Sequence, residues 1–150
     1  TPEWYKDGVA QPHEKGEWDD YEIAWVKAHE DFDVLGHLTY ISKTHCHPAP
    51  RPVPFAEHRE IIDEILKVLA QKGKGMELNT SGMDRCGGFL PTKDIFVRFK
   101  ELGGEIVTVG SDAHKANRVG QYTFDACEIF KDIFGYVCTF ENRKPVFHKL

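Results

Sequence analysis

Apolar residues in this chain recur at two different spacings. From Asp19 to His29 and from Phe55 to Gln71 they return every three or four positions, the repeat of a helix with one buried face. In the second stretch Ile61, Ile62, Ile65, Leu66 and Leu69 form the stripe, and Gly73 and Gly75 stop it. Asp19 or Asp20 offers a cap for the first. A third helix is predicted over Pro91 to Leu102, with Pro91 in its first turn, Phe96 and Phe99 on its buried face, and Gly103-Gly104 at its end. A fourth runs from about Tyr122 to Phe134, with Gly135 as its stop. Between the helices lie short apolar runs, Phe32 to Leu35, Met76 to Asn79 and Glu105 to Val109, which read as buried strands. Tyr136 to Phe140 and Pro145 to His148 read as a last pair, with Glu141-Asn142-Arg143-Lys144 turning between them. Residues 1–18 read as loop, and Thr44 to Pro54, with four prolines, as irregular chain.

The order is therefore α-β-α-β-α-β-α-β-β. Strands alternating with helices at these lengths imply parallel β/α units with right-handed crossovers. Two architectures compete, an open doubly wound sheet and an arc of a β/α barrel. No G-x-G-x-x-G and no P-loop follows any strand, which weakens the nucleotide-binding version.

Composition narrows the setting. The 150 residues are 41% hydrophobic, enough for one domain segment spanning 1–150 with a core. The net charge of −5 comes with no basic block, which argues against nucleic acid as a partner. No apolar run approaches the roughly 18 to 20 residues of a membrane helix. Thr1-Pro2-Glu3-Trp4 resembles neither a signal nor a transit peptide, and the missing initial methionine points to processing or to a piece of a longer product. The four cysteines form no C-x-x-C pair and read as free thiols in a reducing cytoplasm.

The chemistry-bearing residues gather after the strands. His37 follows Leu35 and Gly36; Asn79, Thr80 and Ser81 follow Leu78; Ser111, Asp112 and His114 follow Val109 and Gly110. In parallel β/α folds the carboxyl edge is the active-site edge. Asp112 and His114 are two apart, so an extended strand end turns both to one side. A carboxylate with an imidazole suits zinc, iron or manganese. On those two residues alone a helix cap and a surface histidine are equally at home; His37 at an equivalent strand end tips the balance toward metal. His45-Cys46-His47 looks metallic, yet nothing around it has zinc-site spacing, and it reads as plain loop. Glu57, His58 and Glu60 read as a solvated helix start. With no G-x-S-x-G and no cysteine set up as a nucleophile, the chemistry left is metal-assisted hydrolysis.

Three segments, Phe32-Asp33-Val34-Leu35-Gly36-His37-Leu38, Glu77-Leu78-Asn79-Thr80-Ser81-Gly82 and Gly103 through His114, resemble the PHP-type histidinol-phosphate phosphatases. The tail Asn142-Arg143-Lys144-Pro145-Val146-Phe147 is similar to the end of those enzymes. The resemblance implies the carboxyl-terminal half of a distorted seven-stranded β/α barrel, with two or three divalent ions at its carboxyl edge. It implies His37, Asp112 and His114 as metal ligands, and hydrolysis of L-histidinol phosphate in histidine biosynthesis. Asp112 and His114 then take part in catalysis, and Arg85 with Ser81 stand as substrate-binding candidates, the arginine neutralising phosphoryl oxygens. Two departures stand out. Thr39 replaces the acid of the family's G-H-L-D motif, and the family's H-x-H, D-H, glutamate and S-x-H ligands are not found in residues 1–150. A β/α barrel takes about 250 residues, so an amino-terminal half is the expected partner, and the isolated chain is expected to be inactive. The rival readings are a PHP phosphoesterase acting on nucleotides and a non-catalytic half-barrel module.

Overall fold

The structure, a computed structural model, describes residues 5–6, 9–10, 17–43 and 50–150. His45, Cys46 and His47 lie outside the described residues. The elements in chain order are β1 (Tyr5–Lys6), β2 (Val9–Ala10), α1 (Glu17–Ala28), β3 (Val34–Leu35), α2 (Arg59–Gln71), β4 (Gly75–Asn79), α3 (Met83–Cys86), α4 (Lys93–Glu101), β5 (Val107–Gly110), α5 (Thr123–Ile133), β6 (Tyr136–Glu141) and β7 (Lys144–Lys149). Single 3-10 turns lie at Tyr40–Lys43, Phe55–Glu57, Thr80–Gly82 and Ala116–Arg118. None of the described helices is long and apolar enough to cross a membrane.

The stripe of α2 behaves as its spacing dictates. Ile62, Ile65, Leu66 and Leu69 are buried, at i, i+3, i+4 and i+7. Gly73 at φ +62° then closes the helix: Lys74 N–H donates to the Leu69 carbonyl at 2.9 Å and Gly73 N–H to that of Ala70 at 3.1 Å. That pair of bonds is the Schellman arrangement, which needs a left-handed residue. The same device ends α4, where Gly103 has φ +89° and Gly104 N–H reaches the Phe99 carbonyl at 2.9 Å.

β3, β4 and β5 form one three-stranded parallel sheet in chain order. Leu35 pairs with Met76, and Met76, Leu78 and Asn79 pair with Val107, Val109 and Gly110. Met76, Leu78 and Val107 are buried in a core with Val26 of α1, the α2 stripe, Ile95, Phe96 and Phe99 of α4, and Ala126, Phe130 and Ile133 of α5. Side chains alternate across a strand, so Glu77 and Asn79 fall on the opposite face of the sheet. The strands are thus not apolar on both faces, as the sequence suggested: β4 carries an apolar helix-covered face and a polar one.

The β6–β7 hairpin is a separate antiparallel pair. Its two turn residues, Asn142 (φ +50°) and Arg143 (φ +63°), are both left-handed, the form that suits a two-residue hairpin turn. Arg143 then ties the hairpin tip to the chain entering β3, donating to Asp31 Oδ1 at 2.5 Å and Asp33 Oδ2 at 2.9 Å. The guanidinium hydrogen bond holds the Asp33 carboxyl below its ordinary range.

Several boundaries differ from the sequence reading. Residues 1–18 contain the short antiparallel pair β1–β2, and α1 begins at Glu17, so Asp19 and Asp20 lie within its first turn. The predicted helix from Phe55 divides at His58, whose φ of −132° is not helical, into a 3-10 turn and α2. Pro91 precedes α4 instead of opening it. Leu90 exchanges backbone hydrogen bonds with Asn79 at 2.8 and 3.0 Å, which keeps the chain extended there, and Thr92 becomes the N-cap.

Candidate functional site

All three strand ends of the sheet finish on one edge, because the strands are parallel. His37 follows β3, Thr80 and Ser81 follow β4, and Ser111 to His114 follow β5. The sequence-derived candidates His37, Ser81, Asp112 and His114 therefore share the carboxyl edge. Arg85, in α3, is exposed, and its side chain makes no hydrogen bond or ion pair with another described residue.

Backbone strain concentrates here. His37 (φ +36°), Thr39 (φ +71°) and Asp112 (φ +48°) all sit in the left-handed region. Each such non-glycine residue costs on the order of 1–3 kcal/mol and persists only where its surroundings over-determine it. Thr39, where the resembling motif has an acid, also buries its hydroxyl with no hydrogen-bond partner among the described residues.

Two residues that the sequence reading did not single out organise the edge. Glu77, on the polar face of β4, accepts from the His37 backbone N–H at 3.0 Å and from Asn79 Nδ2 at 3.2 Å through Oε2. Its carboxylate crosses to β5, where a Cβ on Gly110 would overlap Glu77 Oε1. Glycine at 110 is thus a space requirement. Lys43 ends the 3-10 turn after β3, with its side chain only 8% exposed. It donates to Ser81 Oγ at 2.7 Å and Asp112 Oδ2 at 3.0 Å, and its ammonium lies 4.6 Å from the centre of the Tyr40 ring. The turn is anchored by Ser42, fully buried and 3.8 Å from the Cys86 thiol of α3. An acid within an apolar strand is a signal that could have revealed Glu77; Lys43 carries no local signal.

Asn79 links these two residues. Its Oδ1 accepts from the Ser81 N–H at 3.0 Å and from Ser81 Oγ at 2.5 Å. A continuous polar chain runs from His37 through Glu77, Asn79, Ser81 and Lys43 to Asp112. Lys43's hydrogen bond holds the Asp112 carboxyl below the usual carboxylate range; partial burial opposes it, and the charges of Lys43, His114 and His37 add to it. Asp112 is therefore an anion at neutral pH.

His114 is 84% exposed. Its Nδ1 lies 2.8 Å from the Asp112 carbonyl oxygen. A carbonyl oxygen can only accept, so Nδ1 is the donor in this contact and Nε2 is the ring nitrogen turned away from it. Metal-bound histidines are oriented in this way. Asp112 Oδ1 is 3.9 Å from Nδ1, although Asp112 lies beyond β5 at φ +48° and not in the extended strand end the sequence suggested. No three His, Cys, Asp or Glu side chains among the described residues surround one cation-sized point. The donor types fit a divalent cation in part: a carboxylate and an imidazole on neighbouring residues.

No family model matches the chain. It is 38% identical over 93 residues to the histidinol-phosphatase of Lactococcus lactis, covering 62% of this chain and 34% of that protein. It is 30% identical over 128 residues to a probable histidinol-phosphatase of Clostridium acetobutylicum, covering 83% of this chain and 46% of that one. The crystal structure of histidinol phosphate phosphatase from Lactococcus lactis, complexed with zinc, L-histidinol and phosphate, superposes with a TM-score of 0.73 at 28% identity. The superposition covers 96% of this chain and 54% of that one. The chain spans between about a third and about half the length of these relatives, and over that span it is similar to histidinol-phosphatases.

Proposed function

We propose that residues 1–150 are the carboxyl-terminal half of a PHP-type β/α barrel that hydrolyses L-histidinol phosphate with divalent metal ions. The observation that carries this reading is the pairing after β5, where the Asp112 carboxylate and the exposed His114 ring lie side by side, with Nδ1 donating to the Asp112 carbonyl. The chain order of the β3-β4-β5 sheet supports an arc of a barrel, since a doubly wound sheet reverses its order at the site.

In this reading Asp112 and His114 hold one cation, and His37, at the end of β3, contributes to another. When bound, the cations activate water and neutralise charge on the phosphoryl group. Arg85, exposed after β4, would neutralise phosphoryl oxygens. Ser81 stands on the substrate side with its hydroxyl already engaged by Asn79 and Lys43, so it meets substrate only by giving one of them up. A cation usually takes about three protein ligands and an open position. His37, Asp112 and His114 are too few for two or three ions, so the remaining ligands come from an amino-terminal half. A cytoplasmic setting suits a biosynthetic enzyme of this kind.

The test is substrate profiling of a protein carrying this segment within a complete barrel. With zinc or manganese added, phosphate release is expected from L-histidinol phosphate in strong preference to nucleoside monophosphates. A preference for nucleotides would replace the substrate assignment; no hydrolysis of either would favour a non-catalytic module.

A further inference from the structure

We propose that Lys43 is a positioning residue for Asp112, taking Oδ2 so that Oδ1 alone is presented to a cation beside His114. The inference rests on the reading of Asp112 as a metal ligand. The hydroxyl of Ser81 has one proton, and Asn79 Oδ1 at 2.5 Å takes it, where Asp112 Oδ2 at 3.5 Å does not. Ser81 therefore faces Lys43 as an acceptor, and the ammonium is what holds Oδ2. Among the described residues Oδ1 makes no hydrogen bond; the His114 ring lies 3.9 Å away with its Nδ1 proton spent on the Asp112 carbonyl.

Lys43 is itself fixed. The turn before it is pinned by the buried Ser42, its stem is enclosed, and Tyr40 covers the ammonium. A buried cation of this kind needs an anionic partner, and Asp112 is the carboxylate bonded to it. Without Lys43 the carboxylate is free to turn and offer both oxygens, which changes how the metal is held. Partners that orient metal ligands typically affect affinity by 10–100-fold.

The experiment compares the metal-loaded wild-type protein with Lys43→Met, Lys43→Arg and Asp112→Ala. Zinc affinity is measured by chelator competition, and the visible absorption of the cobalt(II) form reports coordination geometry. Lys43→Met is expected to lose about tenfold or more in zinc affinity and to shift the cobalt spectrum, with the far-ultraviolet circular dichroism unchanged. Lys43→Arg, which keeps the charge, is expected to recover part of the affinity. If Lys43→Met fails to fold, Ser81→Ala, which removes the brace and keeps the ammonium, is expected to shift the spectrum in the same direction. Unchanged affinity and spectrum in Lys43→Met, or tighter zinc, would overturn the positioning role. Loss of neither zinc nor spectrum in Asp112→Ala would instead overturn the metal-ligand reading beneath it.

Discussion

Glu77 Oε2 accepts the backbone N–H of His37 at 3.0 Å, so an acid in one strand fixes the turn that leaves its neighbour. The turn is strained at His37 and again at Thr39, and the Glu77 carboxylate holds it at a point where no ladder bond continues. Asn79 shares the same oxygen, so loss of the carboxylate frees two donors at once.

Glu77→Ala should therefore destabilise the fold by about 1–3 kcal/mol, the cost of stranding the buried Asn79 amide and releasing the strained His37 turn. Thermal or urea unfolding measures it. A change below about 0.5 kcal/mol would mean that the turn is held by other contacts.

Gly110→Ala tests the same carboxylate from β5. An added Cβ overlaps Glu77 Oε1, and the glutamate must swing away and give up His37 and Asn79. A loss of about 1–2 kcal/mol is expected. In a Glu77→Ala background the obstacle is gone, so the same substitution should cost much less. The double-mutant cycle reads this as strong coupling; additive losses would place the strain elsewhere.

The parts of this account that were legible in the sequence are those set by local rules. The α2 stripe and the glycines after α2, α4 and α5 act within one or two helical turns, and the structure keeps them. The carboxyl-edge position of His37, Asp112 and His114 follows from strand order alone. Lys43 and Glu77 were not legible as site residues, because their importance comes from partners 69 and 40 positions away. Pro91 misled for a similar reason: its place is decided by the pairing of Leu90 with Asn79. The break at His58 has no helix-breaking residue of its own; Pro54 and the capture of the Phe55 N–H by Asp94 at 2.8 Å set the turn before it.

Acid should weaken the α2–α4 contact through Asp63. This carboxylate receives Arg98 Nε at 2.6 Å and Nη2 at 3.0 Å, with Lys67 at 2.9 Å. The Arg98 hydrogen bonds, with help from Lys67 and against burial, hold its carboxyl well below the ordinary value of 3.8. A depressed folded value contributes stability that is full above the unfolded value and is lost as pH falls through the folded one. Wild-type stability should drop below about pH 4, and Asp63→Asn should flatten that limb while costing about 1–2 kcal/mol at pH 7. Urea titrations at the two pH values check it; parallel acid limbs would assign the loss to other carboxylates.

Residues 1–150 alone should release negligible phosphate from L-histidinol phosphate with zinc or manganese present. The described residues place two clear metal donors together, Asp112 and His114, with His37 nearby on the edge, and a working cluster needs more. Phosphate assay of the purified segment measures it, and full activity from a well-behaved monomer would show the ligand count to be mistaken.

The central claim is that the end of β5 holds a catalytic metal, and the most direct measurement is Asp112→Ala in a protein carrying the complete barrel. Zinc content and turnover of L-histidinol phosphate are determined on the same sample, with circular dichroism confirming the fold. The account predicts turnover reduced by about 100-fold or more, together with loss of bound zinc. Near-wild-type turnover and metal content in a folded variant would contradict it.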